Sequence, residues 1–193
     1  LAHVAAEVAQ SNELNLWRGD TAAASNNAYD GFEKLLAADA GVIDVAAATL
    51  DAANIITELG KVVDAIPGAL YGKEDLFIYI GSAAAKFYVQ SLGGFAANGL
   101  GANGVANMGT QWWNNGSLTV NGVKIFVCPG MSANKMVAAQ RSNMYFGTGL
   151  LNDSQSVRVL DMQDLDGSQN VRMVMRYTAG VQFGVAEDVV LYA

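Results

Sequence analysis

From Phe87 to Val123 the chain carries no Asp, Glu, Lys or Arg. This 37-residue run, FYVQSLGGFAANGLGANGVANMGTQWWNNGSLTVNGV, restricts what the chain can fold into. It is too polar and too rich in glycine for a membrane-spanning helix, which needs about 20 mostly apolar residues. It holds too much Trp, Phe and Met to be a plain flexible linker. Trp112 and Trp113 lie in its second half, Phe95 and Met108 precede them, and six glycines from Gly93 to Gly109 punctuate it. Two readings stay open. One is a long surface loop over the core. The other is a loop that packs against a neighbouring molecule, because aromatics without charges mark interface centres.

The same deficit holds for the whole chain. Of 193 residues, 52% are hydrophobic and 15% charged, against about 25% charged in an average soluble domain. A disordered tail needs the opposite balance, so part of the surface is built to be covered. Eleven basic residues stand against 18 acidic ones, a net charge of -7. That is no surplus for neutralising phosphates, and sequence-specific nucleic-acid binding is not expected. One cysteine excludes a disulfide framework within the chain, and one cysteine with one histidine is poor zinc chemistry. No secretory signal is legible. Gly41 to Ile66 is apolar but broken by Asp44, Asp51, Glu58, Lys61 and Asp64, so no membrane partner is expected. The opening Leu1 reads as a processed product or a piece of a longer chain.

Residues 2–16 have apolar positions near helical spacing, with Gly19 as a stop. Residues 20–30 are a small, polar connection, followed by a short apolar piece at Phe32, Leu35 and Leu36. The spacing of Val45, Ala48, Ala52, Ile55, Leu59, Val62 and Ile66 predicts a helix over 45–66, ended by Pro67. Leu76 to Ile80 is a continuous apolar run typical of a buried strand, and Ser82 is placed to start a helix over 83–92. Ser117 to Cys128 reads as a hairpin about Asn121-Gly122, since both residues tolerate the positive φ of a type I′ turn. Met136–Ala139 is a short apolar piece, and another strand begins at Val157. Val171, Met173, Met175 and Tyr177 alternate with Arg172, Val174 and Arg176, and Val185 to Tyr192 predicts a last strand. Helices come first and antiparallel-looking strands follow, which is α+β.

Several motifs tempt without carrying chemistry. Gly99-Leu-Gly101-Ala-Asn-Gly104 matches a dinucleotide fingerprint, but that motif works only between a strand and a helix. Here a helix precedes it. Arg18-Gly19-Asp20 sits where a helix ends and reads as structural. Asn115 and Asn152 head sequons that lack a secretory context. His3 is alone near the start, Cys128 is a small buried hydrophobe, and Asp161, Asp164 and Asp166 form a solvated hairpin tip without EF-hand spacing. Arg172 and Arg176 form either an ion-pair face between molecules or a plain solvated face. Nothing nominates a catalytic residue, a cofactor site or a metal site, so an enzyme is not expected.

In order, the segments resemble the major capsid protein of tailed bacteriophages, the Hong Kong ninety-seven fold. Leu1 to Trp17 with Gly19-Asp20 resembles the end of the long spine helix. Tyr29-Asp-Gly-Phe-Glu-Lys-Leu-Leu36 is similar to the segment after the spine, and Asp44 to Ile66 to the first axial-domain helix. Asp75-Leu-Phe-Ile-Tyr-Ile-Gly-Ser-Ala-Ala-Ala-Lys86 resembles the family's strand, turn and helix. Val120 to Pro129 looks like the strand that follows. Asn143-Met-Tyr-Phe-Gly-Thr-Gly-Leu-Leu-Asn-Asp153 is similar to a Y-F-G-T-D-L-L run, with Gly149 in place of the acidic residue. Asn170 to Gly184 and Asp188 to Tyr192 resemble the long closing strand and its return.

The resemblance spans nearly the whole chain but only the C-terminal part of the family, without the N-terminal arm and E-loop. It implies a major-capsid-protein fold: an axial domain with part of the peripheral domain, the end of the spine helix and the long closing strand. Residues 1–24 and 154–182 would be peripheral, and 25–153 with 183–193 axial, the charge-poor loop 87–123 included. It implies a structural subunit of an icosahedral shell around double-stranded DNA, in the virion, assembled in the host cytoplasm. The partners implied are other copies in hexamers and pentamers, with decoration, scaffold and portal proteins as further candidates; the oligomeric state of this piece alone stays open. The inter-subunit contact candidates are Trp112, Trp113, Phe95, Met108, Arg172 and Arg176. Two rival readings remain: a non-viral encapsulin-type nanocompartment shell, and a small-ligand-binding α/β domain using the glycine-rich loop.

Overall fold

Three nearly unbroken apolar runs, Leu76–Gly81, Met136–Gln140 and Val190–Tyr192, build the centre of a six-stranded sheet. The structure, a computed structural model, describes residues 2–92, 118–149, 157–163, 167, 169–176 and 178–193. Its helices are α1 (Ala2–Arg18), α2 (Phe32–Ala38), α3 (Ile55–Asp64) and α4 (Ser82–Leu92). Its strands are β1 (Ile43–Val45), β2 (Leu76–Gly81), β3 (Leu118–Val120), β4 (Val123–Cys128), β5 (Met136–Gln140), β6 (Met144–Thr148), β7 (Val157–Asp161), β8 (Val171–Met175), β9 (Ala179–Phe183) and β10 (Val190–Tyr192). The main sheet has the order β1-β10-β5-β2-β4-β3, and β6–β9 and β7–β8 form two separate antiparallel pairs. β1 runs parallel to β10 and β2 parallel to β4, while the other neighbours are antiparallel. The mixed sheet with helices on it is the α+β architecture the sequence predicts.

Successive residues of a strand point to opposite faces, and here both faces are covered at the centre of the sheet. Leu76, Ile78 and Ile80 of β2, Met136 and Ala138 of β5, and Val190 and Tyr192 of β10 share one core with α3 and α4. Their sequence neighbours Val137, Ala139 and Leu191, with Tyr79 beside them, join Trp17, Phe32 and Leu36 in a second core on the other face. This explains why β2 and β5 read as unbroken apolar runs. In α3, Ile55, Leu59 and Val62 lie on one stripe and are fully buried. Burying each such side chain is worth about 1.5–3 kcal/mol relative to leaving it in water.

The helix expected over 45–66 forms only in its second half. Val45 is a strand residue paired with Tyr192. The Asp51 carboxylate accepts the N–H groups of Ala53 and Asn54, both at 2.8 Å, and Asn54 Oδ1 accepts the Asp51 N–H at 2.9 Å. This reciprocal pair closes a turn just ahead of α3, whose first residue, Ile55, donates its N–H to the Asp51 carbonyl at 3.1 Å. The final strand expected over 185–192 is likewise shorter. Ala186–Asp188 is a 3-10 turn, and only Val190–Tyr192 joins the sheet. The cause is Asn143, whose buried side chain takes the N–H groups of Gly184 and Val185 and donates to the Val185 carbonyl. The short apolar piece at 32–36 is the helix α2.

The hairpin β3–β4 forms as predicted. Val120 pairs with Val123 across a two-residue turn, and Asn121 and Gly122 have φ of 46° and 81°. α1 is tied down at its C-terminal end. Trp17 is buried, with its ring 5.5 Å from Phe32 and 5.6 Å from Tyr79. Beyond it, the Gly31 N–H donates to the Gly19 carbonyl at 2.8 Å. The two backbones cross so closely that a Cβ on Gly31 would sit 2.6 Å from the Asn15 carbonyl oxygen and 2.7 Å from that of Trp17.

Candidate assembly surface

Arg172 and Arg176 lie on and just beyond β8, in the hairpin it forms with β7. The register sets Arg158 opposite Val174 and Leu160 opposite Arg172. Residues paired across an antiparallel ladder point to one side, so Arg158, Leu160, Arg172 and Val174 share a face. Arg176, two residues past Val174, continues it. Arg158, Leu160, Val174 and Arg176 line a shallow hollow of about 350 Å³. The three arginines are exposed. The opposite face carries Val159 and Val171, 55% and 66% exposed.

Among the described residues, β7 and β8 share their main packing only with each other. A lone two-stranded hairpin is marginally stable in water at best, and here one side is apolar and uncovered. More apolar surface is exposed on Phe126 of β4 and on Tyr145 and Phe146 of β6. Phe126 continues an aromatic row on the second face of the sheet, 6.0 Å from Tyr79, which is itself 6.3 Å from Phe77. α2 and Trp17 cover the β5–β10 side of that face, while Lys124 and Phe126 of β4 stay exposed.

Elsewhere among the described residues, the ends of α1 and α2 carry partnered charges. Lys34 Nζ lies 2.7 Å from both Asp20 and Asp30. Its hydrogen bond is the main cause holding the Asp30 carboxyl down to about 2, helped by Thr21. Asp20 is therefore one arm of an ion triad at the end of α1, which gives the Arg-Gly-Asp tripeptide the structural role expected of it. The hollow of about 480 Å³ beside this triad is lined also by Glu33, Ser132 and Lys135. There the buried Glu33 accepts the Ser132 N–H at 2.7 Å and the Ser132 hydroxyl at 2.8 Å, tying α2 to the loop before β5. Cys128 is buried, and desolvation pushes its thiol far up. Desolvation also raises the Tyr79 phenol, to about 12. No group of three or more His, Cys, Asp or Glu able to hold a metal occurs among the described residues. No helix among them is long and apolar enough to cross a membrane.

Of the six contact candidates, the structure places Arg172 and Arg176 on one exposed face. Phe95, Met108, Trp112 and Trp113 lie outside the described residues, as do the Gly99–Gly104 motif, Asn115, Asn152, Asp164 and Asp166. Asp161 is exposed at the end of β7, as expected of a solvated tip. Arg158 was not among the candidates. Its signal is the Val-Arg-Val-Leu alternation of β7, which becomes informative only with the register against β8.

No protein-family model matches the chain, and no curated protein matches it in sequence. Solved structures do match. A chain from Mycobacterium phage Che8 aligns over 79% of this chain and 53% of its own length, with a TM-score of 0.55 and 15% identity. A chain from the satellite phage P4 procapsid, in a structure that includes the size determination (Sid) protein, aligns over 98% of this chain and 64% of its own. Its TM-score is 0.59 at 9% identity. The chain thus spans roughly half to under two thirds of the phage chains it matches. The mixed α+β architecture is one that these phage structures share, as the order of segments predicts.

Proposed function

We propose that this chain is a structural subunit of a viral shell, built to be covered by other copies of itself. The observation that carries the reading is the likeness of 98% of the chain to a chain of a phage procapsid. Its surface agrees. The hairpin β7–β8 exposes Val159 and Val171 and packs mainly on itself, and Phe126, Tyr145 and Phe146 add exposed aromatic area. Val159 and Val171 share one face of that hairpin, and exposed apolar patches mark interaction sites. The role is structural rather than catalytic and needs no cofactor. In the same reading, copies meet as hexamers and pentamers and close around double-stranded DNA, in the virion, after assembly in the host cytoplasm. Residues 1–24 and 154–182 serve as peripheral elements, and 25–153 with 183–193 as the axial part. A net charge of -7 suits a wall that stands near packed DNA without adhering to it.

Electron microscopy of the protein expressed from its complete reading frame tests this. Closed particles are expected, with nuclease-protected DNA inside when they are recovered from infected cells. A protein that stays monomeric at high concentration would overturn the reading.

A further inference from the structure

We propose that the arginine face of the β7–β8 hairpin docks on an acidic edge of a second copy of this chain. The inference rests on the shell reading and says which two surfaces meet. Arg158, Arg172 and Arg176 are three of the chain's five arginines. Gathered on one exposed face, their side chains have no ion pair with any described residue. Three like charges repel one another unless an anionic surface meets them.

The anion is protein rather than phosphate, because of what lies between the arginines. Leu160 is 39% exposed and Val174 half-buried on the same face. A phosphate backbone is bound by cations and gains little from apolar side chains between them, whereas a protein surface desolvates both. Arginine, with its planar fork, is also the cation best suited to carboxylates at interfaces.

The chain itself carries the complement. Asp44 on the edge strand β1 and Asp39 at the end of α2 just before it are exposed, and Glu187 is exposed on the turn packed against β1. None of the three has a basic partner among the described residues. Val185, 51% exposed, precedes that turn and supplies an apolar element like Leu160. Asp39 and the Glu187 turn meet beside Gly41, where the Asp39 carboxylate and the Ala186 side chain both approach its backbone, so these charges lie on one edge of the chain. The patches are different surfaces of one chain, so the contact is head-to-tail, the kind that generates rings when its rotation closes.

Two single-faced variants test the contact. R158E/R172E/R176E keeps only the acidic edge, and D39K/D44K/E187K keeps only the arginine face. All six positions are exposed, and circular dichroism checks folding; R158Q/R172Q/R176Q serves if reversal unfolds the hairpin. By sedimentation velocity, each variant alone is expected to self-associate at least about tenfold more weakly than the parent chain, in terms of Kd. An equimolar mixture is expected to form one-to-one dimers that dissociate as salt rises. A mixture that stays monomeric overturns the proposal, and retardation of a DNA fragment by the parent arginine face in that case assigns the face to nucleic acid. Particles that still form from the arginine-reversed chain sink this contact but leave the shell reading standing. Mixed dimers from a protein that never forms particles do the reverse.

Discussion

The Tyr192 hydroxyl donates a 2.8 Å hydrogen bond to Oε2 of Glu58, joining the last strand of the sheet to α3 inside the core. The same hydroxyl accepts the Ala48 N–H at 2.8 Å. One phenol thus fixes a strand, a helix and the strap between β1 and α3. Lys61 reaches the carboxylate from its solvent side, at 2.8 and 2.9 Å. Removing the hydroxyl by Tyr192→Phe leaves a buried carboxylate short of a donor and a backbone N–H without its acceptor. The expected cost is about 1.5–3 kcal/mol, the range for a hydrogen bond to a charged group. Urea denaturation followed by circular dichroism measures it; a change within about 0.5 kcal/mol, the scale of an ordinary surface substitution, would contradict this role.

The same carboxylate makes stability depend on pH. The Lys61 hydrogen bond, then that of Tyr192, holds Glu58 below its ordinary value of 4.5. A folded value beneath the unfolded one means that ionised Glu58 adds stability in full above pH 4.5, which is lost as pH falls through the folded value. Glu58→Gln is therefore expected to flatten part of the acid limb of a stability-against-pH curve. Asp30, held down to about 2 by Lys34, keeps a share of the slope at lower pH. An acid limb of unchanged steepness in the Gln variant would show that Glu58 is not a contributor.

Two glycine substitutions should separate crowding from backbone conformation. Gly31→Ala drives a Cβ into the carbonyl oxygens of Asn15 and Trp17, neither the end of a movable side chain. A loss of about 2–3 kcal/mol is expected, as for other insertions into packed structure. Gly122→Ala meets nothing within 4 Å but keeps a φ of 81°. It should cost only about 1–2 kcal/mol, the penalty of a left-handed residue with a Cβ. Thermal melts of the two variants side by side test the order; the reverse order would mean that the α1 end is free to move away from Gly31.

Cys128 reports on opening of the second core. Its thiol is 2% exposed, and desolvation raises its pKa. Since the thiolate is the reactive form, a colourless disulfide reagent at pH 8 should label the native chain only as fast as the chain unfolds. Trp17→Ala is expected to accelerate labelling by removing the ring that packs α1 on the same core. Rapid labelling of the native parent chain would contradict this packing.

How far the sequence could be read depended on how local each cause is. The Asn121-Gly122 turn and the run from Leu76 to Ile80 were legible because a two-residue turn and a buried strand are written in adjacent residues. The helix over 45–66 misled because Val45, Ala48 and Ala52 keep helical spacing by coincidence. Val45 answers to Tyr192, 147 positions later, and Ala48 to the same side chain. The shortened last strand likewise depends on Asn143, a partner more than forty positions away. On the candidate surface, the alternation of Arg172 and Arg176 with Met173 and Met175 could be read directly. Arg158 could not, since its place on their face exists only in the register of two paired strands.

β1 and β3, at the two edges of the main sheet, are only three residues long. A sheet could continue from subunit to subunit through such edges, but these offer few free backbone groups to a neighbour, and Asp44 points charge outward from one of them. Growth by adding strand to strand advances by a fixed step and has no built-in end. Side-chain faces such as the hairpin's set the angle between neighbours instead, and angle, unlike strand spacing, decides whether a surface of many copies comes back to meet itself.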